Sequence, residues 1–348
     1  MGKRLRVAIA GGHRMLTRQP GSHNWAAAFA AVPEAEIVAV FDLGAETRNT
    51  FMDCWSEAGT AITAYADYES MLHQAQPDIV CVATRQTMHA GQIEQAVAAG
   101  VRGILSDKPL ATTLAEVDRI LTACRGAAVP LAFGLDRRWM TRYDWARRQV
   151  EEGAIGRVTA VMAYGLPNLV NHGCHWYDAA LALAGDPEVS WVSGLVDDTS
   201  QEPPGSRRVL DPPGRAQVGL ANGVTVYVTP DGLPGPTFEV LGHRGRLLLL
   251  DDARDAYLWR VEGASGAQPH PVQVPVTLTP WEAGPKLVAD LVAAVHSGGP
   301  TACDVAEARR ASAIGFAIHA SSAAGGRRLA LDEVDRELRV PSFPWGND

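Results

Sequence analysis

Five short apolar runs in the first third of the chain, Val7–Ala10, Ile37–Phe41, Ile79–Ala83, Gly103–Leu105 and Val129–Phe133, carry almost no polar alternation. A strand that is apolar on both sides is one covered on both faces, the condition of a parallel sheet with crossover helices above and below it. The segments between the runs are alanine-rich and helically spaced, so strand and helix alternate and the chain is bound to open as an α/β sheet. The clearest helix start is Thr113-Leu114-Ala115-Glu116. It reads as a capping box, threonine hydroxyl and glutamate carboxylate satisfying each other's backbone N–H, and it opens a helix to about Cys124.

After about residue 135 the style changes. A helix (roughly Trp139–Glu152), a strand (Val158–Tyr164) and a helix (roughly Cys174–Ala184) precede a series of strands separated by Pro/Gly turns. Glu188–Val196, Arg215–Leu220, Val224–Thr229, Thr237–Leu241, Arg246–Leu250 and Tyr257–Val261 read as an antiparallel sheet, with Asp197–Pro213 as a surface loop. Two closing helices, about Trp281–His296 and Asp304–Ala323, are expected to cover that sheet. The 348 residues suit two domains of ~150 residues each.

Composition narrows the partners. Apolar residues make up 47% and charged residues 20%, which specifies a folded chain. With 31 basic against 39 acidic residues the net charge is -8, the wrong sign for a phosphate backbone, so nucleic acid is not an expected partner. The five cysteines form no C-x-x-C, which fits a reducing compartment, the cytoplasm, and argues against a structural zinc site; no metal is expected. The basic start, Gly2-Lys3-Arg4-Leu5-Arg6, leads into an apolar stretch of only Val7–Ala10, too short for a signal peptide, and no run approaches the ~18 residues of a membrane span.

The first strand runs into Gly11-Gly12 and the second ends at Asp42, which places glycines and an acid where a dinucleotide-binding unit needs them. The G-x-G-x-x-G fingerprint is absent. A loop through Gly21-Ser22 precedes a helix expected at about Asn24. Such a loop can hold phosphate on backbone N–H groups with Arg14 or Arg18 adding charge, or it is a surface loop whose arginines face water. Asp42 reads either as the acceptor for ribose hydroxyls or as a strand-end turn residue. As a ribose acceptor its charge repels a 2′-phosphate and favours NAD over NADP, while Arg48 leaves NADP open.

Four signatures then follow in order. They are Ala83-Thr84-Arg85-Gln86-Thr87-Met88-His89, Ser106-Asp107-Lys108-Pro109-Leu110-Ala111, Phe133-Gly134 through Arg137-Arg138-Trp139 with Glu152-Gly153-Ala154-Ile155-Gly156-Arg157-Val158, and Asn171-His172-Gly173-Cys174-His175-Trp176-Tyr177-Asp178. In order and spacing the chain resembles the Gfo/Idh/MocA oxidoreductases, the relatives of glucose–fructose oxidoreductase and inositol dehydrogenase. Three positions depart from the family pattern: Arg85 replaces a usual proline, Asp107 a glutamate and Asn171 an aspartate. The resemblance implies a Rossmann domain over residues 1–135 and an α+β domain over 136–348 with a large, mostly antiparallel sheet. The second domain would bind substrate and assemble a homodimer or homotetramer, and the active site would lie where the domains meet. It further implies cofactor contacts from Gly11, Gly12, His13, Asp42, Thr84, Arg85, His89, Asp107 and Lys108.

Oxidising a secondary alcohol needs a proton acceptor, a cation for the developing alkoxide and a placed nicotinamide. Lys108 and His175 supply the first two groups, although a solvated strand-end lysine and a core-satisfied histidine are the plain alternatives. Asn171 can orient a hydroxyl but cannot take a proton, so His175 works alone, His172 contributes, or ordinary turnover is lost. Asp178 either orients His175 or stabilises its helix start, and Cys174 reads as a packing residue. Arg138, Tyr164, Asn168 and His172 are substrate contacts by family position, with packing as the alternative for the first three. The resemblance implies hydride transfer between nicotinamide and a secondary alcohol or ketone of a sugar, cyclitol or glycoside. The alternatives are a glycosidase acting through transient oxidation and a non-catalytic dinucleotide- or sugar-responsive regulator.

Overall fold

The computed structural model describes residues 4–56, 61–203, 206–232, 235–261, 270–274 and 281–340, so Gly2 and Lys3 of the basic start lie outside the described residues. In chain order the first elements are β1 (Leu5–Ala10), α1 (Trp25–Ala30), β2 (Ala35–Phe41), α2 (Ala45–Trp55), β3 (Thr63–Tyr65), α3 (Tyr68–Ala75), β4 (Ile79–Val82), α4 (Gln86–Ala98), β5 (Gly103–Ser106), α5 (Leu114–Gly126) and β6 (Leu131–Phe133). A 3-10 turn at Asp136–Trp139 leads to α6 (Thr141–Glu151), β7 (Val158–Tyr164), α7 (Gly173–Leu183), β8 (Val189–Val196), α8 (Arg207–Leu210) and β9 (Gly214–Leu220). Then come β10 (Thr225–Val228), β11 (Thr237–Gly242), β12 (Gly245–Leu250), β13 (Asp255–Arg260), β14 (His270–Val274), α9 (Ala283–Ser297) and α10 (Val305–Ala323). No helix of the described residues is long and apolar enough to cross a membrane.

The chain divides into two compact units, one holding Met1–Trp139 with Thr279–Arg309 and the other Met140–Leu278 with Arg310–Phe343. The first is built on a parallel sheet in the order β3-β2-β1-β4-β5-β6. β4 and β5 are buried along their whole length, as their unbroken apolar runs require. β3 was not expected: it is a three-residue edge strand of exposed and half-buried residues, so it leaves no apolar run to read.

The helix expected at Trp281–His296 to cover the second sheet lies instead on the first, so the boundary at 135/136 does not hold for residues 279–309. Gly103 shows why α9 fits there: a Cβ would sit 2.6 Å from Val295 and 3.3 Å from Leu291, so only glycine lets the helix approach β5 this closely. The chain after α9 then runs beside β6. Thr301 Oγ1 donates to Leu131 O at 2.7 Å, and Phe133 N–H to Cys303 O at 3.0 Å, which covers the sheet edge. Helix α5 starts at the expected threonine, Thr113 Oγ1 accepting the Glu116 N–H at 3.1 Å. The glutamate does not reach back to Thr113; it accepts the N–H and hydroxyl of Thr112, both at 2.8 Å.

The second unit holds an eight-stranded sheet in the order β14-β13-β12-β11-β7-β10-β9-β8. Its neighbours are antiparallel except β7 and β10, which run parallel. Val161, Ala163, Phe238, Val240, Leu247 and Leu249 line one face, all fully buried. Helix α6 covers it through Tyr143, whose ring stands edge-on to Phe238 at 6.0 Å, and α10 through Ile318, seated against Gly194 of β8. The second closing helix therefore does cover this sheet.

One residue later on α10, His319 is half-buried, its Nε2 shielded from solvent and lacking a hydrogen-bond partner among the described residues. Burial pushes its pKa down to about 4. Between the ordinary histidine range near ~6.5 and that value, the unfolded chain binds a proton that the folded protein refuses, so stability falls as pH drops. Urea unfolding at pH 7 and pH 4.5 should show wild type losing about 2 kcal/mol more than His319→Leu over that interval.

Candidate active site

In the first unit, β1 ends in a turn that only glycine can make. Gly11 has φ +92°, and a Cβ there would sit 2.4 Å from the Ala83 carbonyl oxygen. The adjacent Gly12 N–H donates to Asp42 Oδ2 at 2.9 Å, while the Gly44 N–H donates to Oδ1 at 2.9 Å. Asp42 is thus a turn residue, and since a carboxylate accepts about four hydrogen bonds it also keeps acceptor capacity for ribose hydroxyls. The turn reading of this residue is the one its two backbone donors show. Arg48 Nη1 donates to the Asp42 and Leu43 carbonyls, at 2.6 and 3.1 Å.

The long loop before α1 is organised by its own side chains. Asn24 caps the helix by accepting the Ala27 N–H at 3.1 Å, and its amide nitrogen donates to the carbonyls of Thr17 and Gln19. Met15 is fully buried. Arg18 Nε donates to the Cys54 carbonyl at 2.8 Å and its guanidinium lies over the Trp55 ring. His13 and Arg14 are exposed on the same loop. The residues fit a dinucleotide at the glycine turn and at Asp42, although helix α1 already has its cap.

A second group gathers where β4 and β5 end. Asp107 and Lys108 are both 6% exposed. The Asp107 carboxylate accepts the Lys108 N–H at 2.9 Å and lies 2.8 Å from His23 Nδ1. Burial alone would raise its pKa; the His23 imidazole and the Lys108 ammonium more than reverse that and hold it well below the usual carboxylate range. His89 sits 1% exposed, its ring nitrogens on the Pro109 carbonyl (2.9 Å) and the Thr84 carbonyl (3.1 Å). Burial lowers its pKa against the pull of Asp107 and those carbonyls. Its ring thus lies between two strand-end loops, and the neutral imidazole donates to one of the two carbonyls. Thr84 Oγ1 donates to Gln92 at 2.5 Å, and Arg85 is exposed at the start of α4. Arg138 is 7% exposed in the 3-10 turn.

The second unit carries the histidine motif on the loop before α7. Asn168 Oδ1 accepts the His172 N–H at 2.7 Å, which leaves its Nδ2 to donate to His172 Nδ1 at 2.9 Å. That bond uses Nδ1 as an acceptor and puts the proton of the neutral ring on Nε2, so His172 presents a donor and not a base. Asn171 (2%), His175 (8%) and Asp178 (1%) are buried around the first turn of α7. Cys174 lies against the Asn171 carbonyl at 3.5 Å, a packing position. Tyr164 ends β7, its backbone carbonyl accepting Trp176 Nε1 at 2.7 Å. Partial burial and then the Glu239 carboxylate raise its phenol pKa.

The residue that sequence reasoning missed is Asp211. Buried at 2% exposure, its carboxylate accepts backbone N–H groups from Leu169 (3.2 Å), Val170 (3.0 Å) and Asn171 (2.7 Å). It fixes the loop that carries Asn168, Asn171 and His172. It lies inside Asp197–Pro213, a stretch whose turn-like composition carries no sign of a partner about forty residues away. Asp211→Ala should cost about 2–4 kcal/mol in urea unfolding and speed hydrogen exchange at Leu169, Val170 and Asn171 selectively, because three buried donors lose a charged acceptor.

Comparisons with known proteins bear on this geometry. Residues 5–135 match the Gfo/Idh/MocA model described as an oxidoreductase family with an NAD-binding Rossmann fold, and residues 147–331 match its C-terminal alpha/beta domain. A D-apiose dehydrogenase from Paraburkholderia graminis is 28% identical, covering 91% of this chain and 88% of its own. A D-glucoside 3-dehydrogenase from Escherichia coli is 24% identical over 54% of this chain and 56% of its own. Among solved structures, a levoglucosan dehydrogenase in complex with NADH and levoglucosan superposes with a TM-score of 0.78, at 19% identity, over 95% of this chain and 100% of that one.

Proposed function

Since the chain belongs to the Gfo/Idh/MocA oxidoreductases, with their NAD-binding Rossmann domain, we propose that it moves a hydride between NAD and a secondary alcohol or ketone of a sugar, cyclitol or glycoside. The observation that carries the reading is Lys108, a buried cation at the end of β5 whose backbone N–H is fixed on the Asp107 carboxylate. Named relatives that act on apiose and glucosides support the substrate class. Gly11, Gly12 and Asp42 would hold the cofactor, with His13, Thr84, Arg85 and Asp107 lining the same strand ends; when bound, NAD supplies the hydride acceptor.

Lys108 stabilises the oxygen that becomes an alkoxide as its proton leaves. His175 takes that proton, since Asn171 has no basic atom and His172 Nδ1 is occupied by Asn168. Asn171 orients the hydroxyl, while Asn168 sets the tautomer in which His172 donates to substrate. Tyr164 and Arg138 complete the substrate contacts. A cytoplasmic location is supported by five cysteines among which no disulfide forms.

A homodimer or homotetramer is supported by the open face of the second sheet, where Tyr227, Met162, Glu239, Leu248 and Tyr257 stand in one cross-strand row. Light scattering should give a dimer or tetramer that Tyr227→Arg with Leu248→Arg converts to monomers; a monomeric wild type would remove this part of the reading.

The activity itself is tested with purified protein, NAD and a panel of pentoses, anhydrosugars, glucosides and inositols. Turnover of at least one member is expected, with Lys108→Met and His175→Asn each lowering kcat by about 10²-fold or more while NADH affinity changes less than about threefold. Equal losses in NADH affinity and turnover for Lys108→Met would reject its catalytic role. NADH should bind at least about tenfold more tightly than NADPH.

A further inference from the structure

The loop that breaks the glycine fingerprint delivers a side chain to the centre of the site. His23, its penultimate residue before α1, has φ +66°, the left-handed region that costs most side chains strain and that histidine, asparagine and aspartate tolerate best. Asn24 holds the loop in place from both sides through Thr17, Gln19 and Ala27. In that conformation the imidazole stands edge-on to Trp25 at 6.4 Å, and its Nδ1 lies 2.8 and 3.1 Å from the two Asp107 oxygens. An ionised carboxylate only accepts, so His23 Nδ1 carries the proton and donates it. The oxygen nearest His23 is the one that accepts the Lys108 N–H at 2.9 Å.

We infer that His23 is a positioning residue for Lys108, acting through the Asp107 carboxylate that the two share. With the His23 donor in place, the carboxylate is anchored from the loop side and is held over the Lys108 backbone, which fixes where the lysine side chain begins. Without that donor a buried charge loses a partner, and the carboxylate is left to swing toward the Lys108 ammonium or toward water. Gly134 restricts it from the other side: a Cβ there would lie 3.4 Å from Asp107 Oδ1 and 2.9 Å from Trp25. The pocket around this carboxylate is therefore built by the atypical loop together with β5 and the Gly134 turn. The catalytic consequence rests on the reading of Lys108 given above; the structural coupling does not.

The chain has only three lysines, Lys3, Lys108 and Lys286, so the ε-methylene signals of full-length protein labelled with [ε-13C]lysine are few enough to assign, Lys108 by its loss in Lys108→Met. His23→Asn places an amide N–H at the reach of Nδ1 and tolerates the positive φ, whereas His23→Phe fills the space without a donor. The expected result is that His23→Phe moves the Lys108 signal toward that of an exposed lysine while His23→Asn leaves it near wild type. With a turned-over sugar, kcat should fall about tenfold in His23→Phe and less than twofold in His23→Asn, NADH affinity holding within about twofold in both.

A Lys108 signal unmoved by His23→Phe, or moved equally by both variants, would overturn the coupling. A moved signal with kcat unchanged would keep the coupling and instead discard the catalytic role of Lys108. Should His23→Phe not fold, Asp107→Asn replaces it: adding His23→Asn to that variant should then change nothing further, and an independent second displacement would overturn the inference.

Discussion

An ionised carboxylate cannot be buried in a protein without partners that replace water, and Asp107 at the end of β5 is where that constraint shapes the first unit. Its compensation comes from the Lys108 N–H and the His23 ring, so the chain before α1 must be long enough to bring a histidine back to the sheet. The loop that does so is longer than a tight glycine turn, is tied by Asn24 to Thr17 and Gln19, and carries His23 at a left-handed φ. His89, lodged between the Thr84 and Pro109 carbonyls, fixes the neighbouring loop to the same point.

The second unit solves a related problem with the opposite polarity. Its motif loop presents three backbone N–H groups with no secondary structure to receive them, and the buried Asp211 accepts all three. In both units a carboxylate that touches backbone donors decides where a cation or a histidine will stand. Neither acid reacts in the proposed chemistry; each makes the geometry that the reacting groups need.

Much of the fold was legible because burial on both faces leaves a mark on every residue of a strand. The runs at 7–10, 37–41 and 79–83 became β1, β2 and β4 with small changes of boundary, and the later runs between Pro/Gly turns became strands of the second sheet, to which the unexpected β14 adds an edge. Edge elements such as β3 lacked that mark. The helix at Ala283–Ser297 was readable as a helix, but an apolar stripe does not say which sheet it meets; Gly103, nearly two hundred residues earlier, made room for it on β5. Family membership was readable as well, since the order and spacing of the motifs around Lys108, Asn171 and His175 carried it.

What the sequence by itself determined was the class of chain: a parallel α/β sheet, then an antiparallel one, with an acid after β2 and a lysine after β5, because hydrophobic periodicity and strand-end position are local properties. Only the tertiary structure decided how the polar side chains are spent. Arg18 went to a carbonyl and an indole, His89 to two backbone carbonyls, His172 to Asn168, and His23 and Asp211 gained roles that no local pattern suggested. The physical reason is that a hydrogen bond or an ion pair depends on distance and direction in space, and residues 84 and 40 positions apart in sequence acquire those only when the sheets have formed.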